Sequence, residues 1–255
     1  MIIALLFGGL IALLFGFLLS YLAQRLTPPE DPQVQEIYEV LPHNNCGGCG
    51  FASCEQFAKA VKEDSSIAGN CVIGGREVAD KIASILGVHL KPKDKQVARL
   101  HCSGGTSDKV SYEGIQSCKA ALLLGTFKEC RFACLGLGDC LESCPFDAIS
   151  MVEGLPIIDE EKCRACGKCV VACPQGLLKL HSVKHKVILG CNSNEKKRPK
   201  ICRNGCIGCG ICAKVCPKGA ITMVDGLPKI DYDKCINCFT CVEKCPRKVL
   251  KRFDS

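Results

Sequence analysis

Three stretches of this chain repeat one spacing of cysteines, C-x2-C-x2-C-x3-C followed by proline. They are Cys163/Cys166/Cys169/Cys173-Pro174, Cys206/Cys209/Cys212/Cys216-Pro217 and Cys235/Cys238/Cys241/Cys245-Pro246. Thiolates at these intervals converge only if the backbone wraps around a common object, so the fold must be built around what the cysteines hold. A [4Fe–4S] cubane needs four such soft ligands. In this spacing three cysteines serve one cluster and the fourth crosses to its neighbour.

Crossing of the fourth ligand groups Cys206, Cys209, Cys212 with Cys245, and Cys235, Cys238, Cys241 with Cys216. The same rule groups Cys163, Cys166 and Cys169 with Cys144. A fourth site is irregular: in CLGLGDCLESCP the second ligand position holds Leu137, which leaves Cys134, Cys140 and Cys173. Leucine cannot bind iron, so this site needs a thiolate from elsewhere or carries a smaller core.

A further set is Cys46, Cys49 and Cys54 in the glycine-rich segment CGGCGFASC, followed by Cys71; the exposed backbone N–H groups of that loop can reach cluster sulfurs. Four cysteines at such spacing also suit tetrahedral Zn2+, which is the bland alternative here. Subtracting these groups from the 24 cysteines leaves Cys102, Cys118, Cys130, Cys191 and Cys202. One of the five would complete the irregular site and the other four would form a sixth cluster; the spacing does not decide which.

The C-terminal half is an internal duplication. MVEGLPIIDEEKCRACGKCVVACP (151–174) overlays MVDGLPKIDYDKCINCFTCVEKCP (223–246) at an offset of 72 residues. At that offset Cys130, Cys134, Cys140 and Cys144 fall on Cys202, Cys206, Cys212 and Cys216, and Cys118 falls one residue from Cys191. The expected fold class is small α+β: two tandem bacterial-type ferredoxin-like modules, 96–180 (irregular) and 181–255, after a four-Cys domain at 43–95. Within that domain GGREVADKIASILG has helical periodicity, and KPKDK marks its end.

Residues 1–25 are different in kind. MIIALLFGGLIALLFGFLLSYLA is uncharged and about as long as the ~20 residues a helix needs to cross a bilayer. No Lys or Arg precedes Arg25, so the positive n-region of a secretory signal is missing and retention as a transmembrane anchor is expected. All 33 Lys and Arg follow the run, which by the positive-inside tendency puts the cysteine-rich part on the cytoplasmic side, where thiols stay reduced. Residues 26–42, with prolines at 28, 29, 32 and 42, read as a semi-rigid linker.

The formal charge of +7 counts every cysteine as neutral. Each [4Fe–4S] core on four thiolates carries about −2, so six would bring the protein to roughly −5, and nucleic acid is not an expected partner. His43, His89, His101, His181 and His185 form no two-His-one-carboxylate pattern and are read as ordinary polar residues. EKKRPK (195–200) and the basic tail read as solvated surface. No G-x-G-x-x-G fingerprint for a dinucleotide is present.

The apolar N-terminal run, NNCGGCGFASC with Cys71, and paired ferredoxin-like modules containing CRFACLGLGDCLESCPFDAI resemble the B subunit of the Rnf complex over essentially the whole chain. That resemblance implies the electron-relay subunit of an ion-translocating ferredoxin:NAD+ oxidoreductase. Such a subunit would accept electrons from soluble ferredoxin and pass them through about six [4Fe–4S] clusters to membrane and peripheral subunits. It would sit single-pass in the inner membrane with its iron–sulfur domains cytoplasmic, and NAD chemistry would belong to other chains. The alternative is a membrane-tethered polyferredoxin serving a hydrogenase or another respiratory enzyme. A redox sensor is disfavoured, because sensing needs one labile cluster and not a string of them.

Overall fold

The computed structural model describes residues 2–26, 31–90 and 94–253. Prolines 28 and 29 of the expected linker and most of KPKDK lie outside these. Helix α1 runs Ile2–Leu26. Its described leucines and phenylalanines, among them Leu13, Phe15, Phe17 and Leu19, are all exposed. Among the described residues, no helix is long and apolar enough to cross a membrane.

Four elements make the N-terminal unit. Helix α2 (Pro32–Glu39) forms inside the segment that reads as linker. Asp31 caps it by accepting from the Gln33 N–H, and Pro32 supplies a fixed φ in the first turn, where its missing donor costs nothing. The proline-rich composition hides an apolar anchor: Ile37 and Leu41 are buried against the rest of the unit. Helix α3 (Cys54–Glu63) is capped by the Ser53 hydroxyl and buries Phe57, Ala58 and Val61. A 3-10 turn (Ser65–Asn70) leads through Cys71 to α4 (Gly75–Leu86), which buries Val78, Ala79, Ile82 and Ala83 at helical spacing and stops at left-handed Gly87. Each large apolar side chain taken fully from water here, such as Phe57, stabilises the unit by about 1.5–3 kcal/mol.

The first module comprises β1 (Gln96–Leu100), α5 (Cys118–Leu123), α6 (Asp139–Glu142), β2 (Ile149–Val152), β3 (Leu155–Ile158), α7 (Lys168–Ala172) and β4 (Leu178–Ser182). The second comprises β5 (Val187–Leu189), α8 (Arg198–Ile201), α9 (Ile211–Lys214), β6 (Ile221–Val224), β7 (Leu227–Ile230), α10 (Thr240–Glu243) and β8 (Leu250–Arg252). In each, the first strand pairs antiparallel with the last (β1 with β4, β5 with β8), and the middle two form a hairpin.

The hairpin turns are Glu153-Gly154 (φ 50, 72) and Asp225-Gly226 (φ 49, 72), the double positive φ that a two-residue turn between right-twisted strands requires. The closing strands bury Val97, Leu100, Leu177 and Leu178 in one module, and Val187, Leu189, Val249 and Leu250 in the other. Arg99 of β1, almost wholly buried, pairs with Glu160 and lies under the Phe253 ring at 4.0 Å, so the second module's end covers the first module's first strand.

Superposing the modules by hydrogen bonds revises one equivalence. His101 N–H donates to Leu177 O and Gly190 N–H to Val249 O, each at 2.8 Å, just past β1 and β5. Cys102 is therefore the counterpart of Cys191. Cys118, which the 72-residue offset brings beside Cys191, instead lies in a longer connection peculiar to the first module. A constant offset cannot register an insertion, and the error follows from that.

Candidate metal centres

The structure gathers the cysteines into sets around cavities. Cys46, Cys49, Cys54 and Cys71 line one of about 320 Å3, counting its open mouth. Cys144, Cys163, Cys166 and Cys169 line one of about 340 Å3. Cys206, Cys209, Cys212 and Cys245 line one of about 360 Å3, and Cys216, Cys235, Cys238 and Cys241 one of about 370 Å3. These are the four sets that the spacing and ligand crossing group together.

The fifth cavity, about 390 Å3, is lined by Cys134, Cys140, Cys173 and Cys118. Of the five thiols left over in the sequence, Cys118 thus reaches the irregular site. Its approach is built by the inserted connection. The Ser117 hydroxyl caps α5, and Asp139 accepts hydrogen bonds from the N–H of Cys118 (2.6 Å), the N–H of Lys119 (3.1 Å) and the Ser117 hydroxyl (3.1 Å). Burial works against ionisation of Asp139, but these donors outweigh it and hold its carboxyl below the ordinary range. The second module has Ile211 at the matching position. Asp139 and Cys118 are thus a paired departure that cysteine spacing alone misses; an acid replacing an apolar residue beside the leucine gap was the available signal.

Local backbone aims donors inward. In the four C-x-x-C or C-x-x-L turns of the modules, the residue before the second ligand position is left-handed: Gly136 (φ 78), Ala165 (φ 55), Gly208 (φ 70) and Asn237 (φ 54). Alternation of right- and left-handed residues turns successive N–H groups to one side, forming a nest for negative charge. Direct contacts follow from it, with N–H of Gly208 donating to Cys206 Sγ at 3.4 Å. Past the ends of the motifs, Leu177 N–H reaches Cys173 Sγ at 3.4 Å and Ala220 N–H reaches Cys216 Sγ at 3.3 Å.

Electrostatics point to a positively charged guest. Burial, then the proximity of Cys102, Cys118 and Cys140, pushes the Cys134 thiol up to about 12. Burial and neighbours Cys163, Cys166 and Cys144 push Cys169 up to about 12. Burial, then Cys235 and Cys238, pushes Cys241 up to about 11. Thiolates so placed ionise together only when metal charge compensates them. Among the described residues no three His, Cys, Asp or Glu converge as ligands of a single ion must, whereas the thiols surround volume. Four thiols around one cavity are the donor set that a [4Fe–4S] cluster takes.

The sets adjoin one another. Cys169 feels the charge of Cys140 from the neighbouring set, and Cys241 that of Cys212. The N-terminal unit touches the first module at Gly48, where an added Cβ would lie 3.2 Å from Cys166 Cβ and 2.9 Å from Val72 Cγ2. Of the 24 thiols only Cys209 and Cys238, both in the second module, are exposed.

Away from the cavities, His101, His181 and His185 cluster with Tyr232. His101 and His181 share a 2.9 Å contact between their Nε2 atoms, and His185 stacks on Tyr232 at 3.9 Å. Read as separate polar residues in the sequence, these three histidines meet because β1, β4 and the start of the second module come together there.

Comparison with known sequences finds iron–sulfur domains over the same cysteine-rich segments. A 4Fe-4S dicluster domain matches residues 162–220 and 205–249, a putative Fe-S cluster domain matches 41–73, and the LdpA Fe-S cluster-binding domain matches 139–184. The 162–220 match joins the end of one module to the start of the next, whereas the cavities pair sets within modules.

Among relatives, the chain is 40% identical over 193 residues to the B subunit of the Na(+)-translocating ferredoxin:NAD(+) oxidoreductase complex of Acetobacterium woodii, covering 74% of this chain and 58% of that one. It is 42% identical over 193 residues to the B subunit of the proton-translocating ferredoxin:NAD(+) oxidoreductase complex of Clostridium ljungdahlii, covering 73% and 68%. It is 37% identical over 171 residues to the B subunit of the ion-translocating oxidoreductase complex of Methanosarcina acetivorans, covering 65% of each. The alignments thus span 58% to 68% of these relatives' lengths.

Proposed function

Because the chain belongs to the family of B subunits of ion-translocating ferredoxin:NAD(+) oxidoreductase complexes, we propose that it is the electron-relay subunit of such a complex. It takes electrons from reduced soluble ferredoxin and delivers them to membrane and peripheral redox subunits. The observation that carries this reading is the series of adjoining four-thiol cavities along one chain. Bound in them, [4Fe–4S] clusters supply one-electron carriers whose potentials depend on hydrogen bonds to sulfur and on exposure to water.

The protein's own residues do the rest. Cysteine thiolates hold each set, and left-handed turns direct N–H groups at their sulfurs. Full or partial burial of every cysteine but two limits access of water, while exposed Cys209 and Cys238 bring the second module nearest to a soluble carrier. At the other end, the N-terminal unit follows α1, whose exposed leucines and phenylalanines need an apolar surround. Although the described residues of α1 do not by themselves make a span, this apolar surface supports the N-terminal run as a membrane anchor, with the cysteine-rich units on the cytoplasmic side as the distribution of Lys and Arg suggests.

Anaerobic mixing of the full-length protein with reduced ferredoxin tests the relay. Stoichiometric oxidation of ferredoxin, with bleaching of this chain's iron–sulfur absorbance, is expected; absence of transfer from a fully loaded protein overturns the reading. Deleting residues 1–26 should release the protein from membranes, and persistent sedimentation with membranes would contradict the anchor.

A further inference from the structure

Cys102, Cys130, Cys191 and Cys202 remain after the five cavity sets are assigned. They come as two equivalent pairs, one from each module. Cys102 and Cys191 follow the first strand of each module, held by the matching hydrogen bonds of His101 and Gly190. Cys130 and Cys202 each stand four residues before the first ligand of the module's own motif, Cys134 and Cys206.

The segments that carry the pairs are fastened to each other. Thr106 and Cys202 form an antiparallel bridge across the modules. The Thr106 hydroxyl donates to Ile201 O at 2.9 Å and accepts from Cys130 N–H at 3.1 Å, so one side chain ties the positions of two of the cysteines. Arg203 N–H donates to Gly105 O at 2.8 Å, and the Asn204 amide donates to Ser103 O at 3.1 Å. Cys202 Sγ lies 3.3 Å from Gly104 O. Ser103 and Gly104 follow Cys102, Gly190 precedes Cys191, and Thr106 holds Cys130 N–H while bridging to Cys202, so these contacts bring all four cysteines to one seam.

A second feature points to a guest. The Ser103 hydroxyl is buried with no hydrogen-bond partner. It occupies the space a side chain at 190 would need, since a Cβ on Gly190 would stand 2.2 Å from Ser103 Oγ. The hydroxyl therefore lies between the residues next to Cys102 and Cys191. A buried hydroxyl without a partner is destabilising unless an acceptor arrives, and a thiolate or sulfide sulfur is one.

We propose that Cys102, Cys130, Cys191 and Cys202 hold a further [4Fe–4S] cluster between the two ferredoxin-like modules, two thiolates from each, with the Ser103 hydroxyl donating to one of its sulfurs. This deepens the relay reading and rests on it. The site makes the metal a cross-link between the modules as well as a carrier, and it stands beside the sets of Cys134 and Cys206, since Cys130 and Cys202 lie four residues before them in the chain.

The test is iron, sulfide and zinc content of the full-length protein purified anaerobically, compared with Cys191→Ser and Cys202→Ser. Loss of about four irons and four sulfides from each variant is expected, with the electron paramagnetic resonance signals of the other clusters kept. The variants should also become sensitive to limited proteolysis between the modules. Ser103→Ala, which spares the ligands, should retain full iron and shift the reduction potential of a single cluster downward. Unchanged iron in both cysteine variants, or loss of one zinc without loss of iron, overturns the proposal. A parent protein that keeps its other five clusters and still oxidises ferredoxin would leave the relay reading standing in that case; a parent that holds full iron but takes no electrons defeats the relay reading instead.

Discussion

Exchanging the roles of positions 118 and 137 probes the irregular site. Cys118→Ser removes the thiolate that the inserted connection delivers, so the set of Cys134, Cys140 and Cys173 falls to three. Position 137 is flanked by left-handed Gly136 (φ 78) and Gly138 (φ 92), as ligand Cys209 is by Gly208 and Gly210 (φ 70 each), so the backbone already suits a ligand there. Leu137→Cys alone adds a redundant thiol and should leave metal content unchanged. Its cost is lost packing against Leu135, Phe127 and Ala121, about 1 kcal/mol for a partly buried leucine shortened by roughly two methylenes' worth of contact.

Cys118→Ser should lose one to four irons, according to whether a three-iron core survives on the remaining ligands, and the double variant Cys118→Ser/Leu137→Cys should regain them. Iron and acid-labile sulfide per chain, with low-temperature electron paramagnetic resonance, provide the assay. Full metal content with an unchanged spectrum in Cys118→Ser, or failure of a folded double variant to recover, would refute the assignment of Cys118.

Other predictions concern the parts that hold the sites in place. Asp139→Ala leaves the N–H groups of Cys118 and Lys119 without their acceptor, and should lower stability by about 1–2 kcal/mol and make the irregular cluster the first to be lost to a chelator. Gly48→Ala must open contacts of 2.9 and 3.2 Å to Val72 and Cys166; about 1–3 kcal/mol of destabilisation should follow in denaturant titration, with weakened magnetic coupling between the N-terminal and neighbouring clusters and no loss of iron. Glu160→Ala strands the buried Arg99 guanidinium, a loss of about 3–5 kcal/mol that an Arg99→Met/Glu160→Leu pair should largely recover.

The histidine cluster gives a pH signature. Burial first, then neighbouring positive groups, lowers His101 and His181 from 6.5 to about 4, so folding favours their neutral forms. That stability is present above about pH 6.5 and is lost as pH falls toward 4; thermal melts of His181→Phe should decline less steeply across this window than those of the parent.

The cysteine spacing anticipated which cysteines share four of the cavities, three of them because ligand crossing is a local rule repeated along the motif and one because its cysteines cluster in sequence. It could not choose among Cys102, Cys118, Cys130, Cys191 and Cys202, since their grouping depends on where an inserted connection folds back and on how two modules dock. For the hairpins, the acid-glycine pairs Glu153-Gly154 and Asp225-Gly226 inside the duplicated segments were the available signal. Helix α2 was not legible, because prolines around it signal a linker, and its stability comes from burying Ile37 and Leu41 against α3 and α4. The meeting of His101, His181 and His185 was likewise hidden, being a product of strand pairing and module contact.

The number of clusters on one chain tests the account most directly. Iron and acid-labile sulfide on anaerobically purified full-length protein should each be close to 24 per chain, with overlapping low-potential paramagnetic signals on stepwise reduction, as six four-thiolate sites require. Values near 16, or stoichiometric zinc, would contradict the relay of adjoining sites and leave a partly wired metal-binding protein.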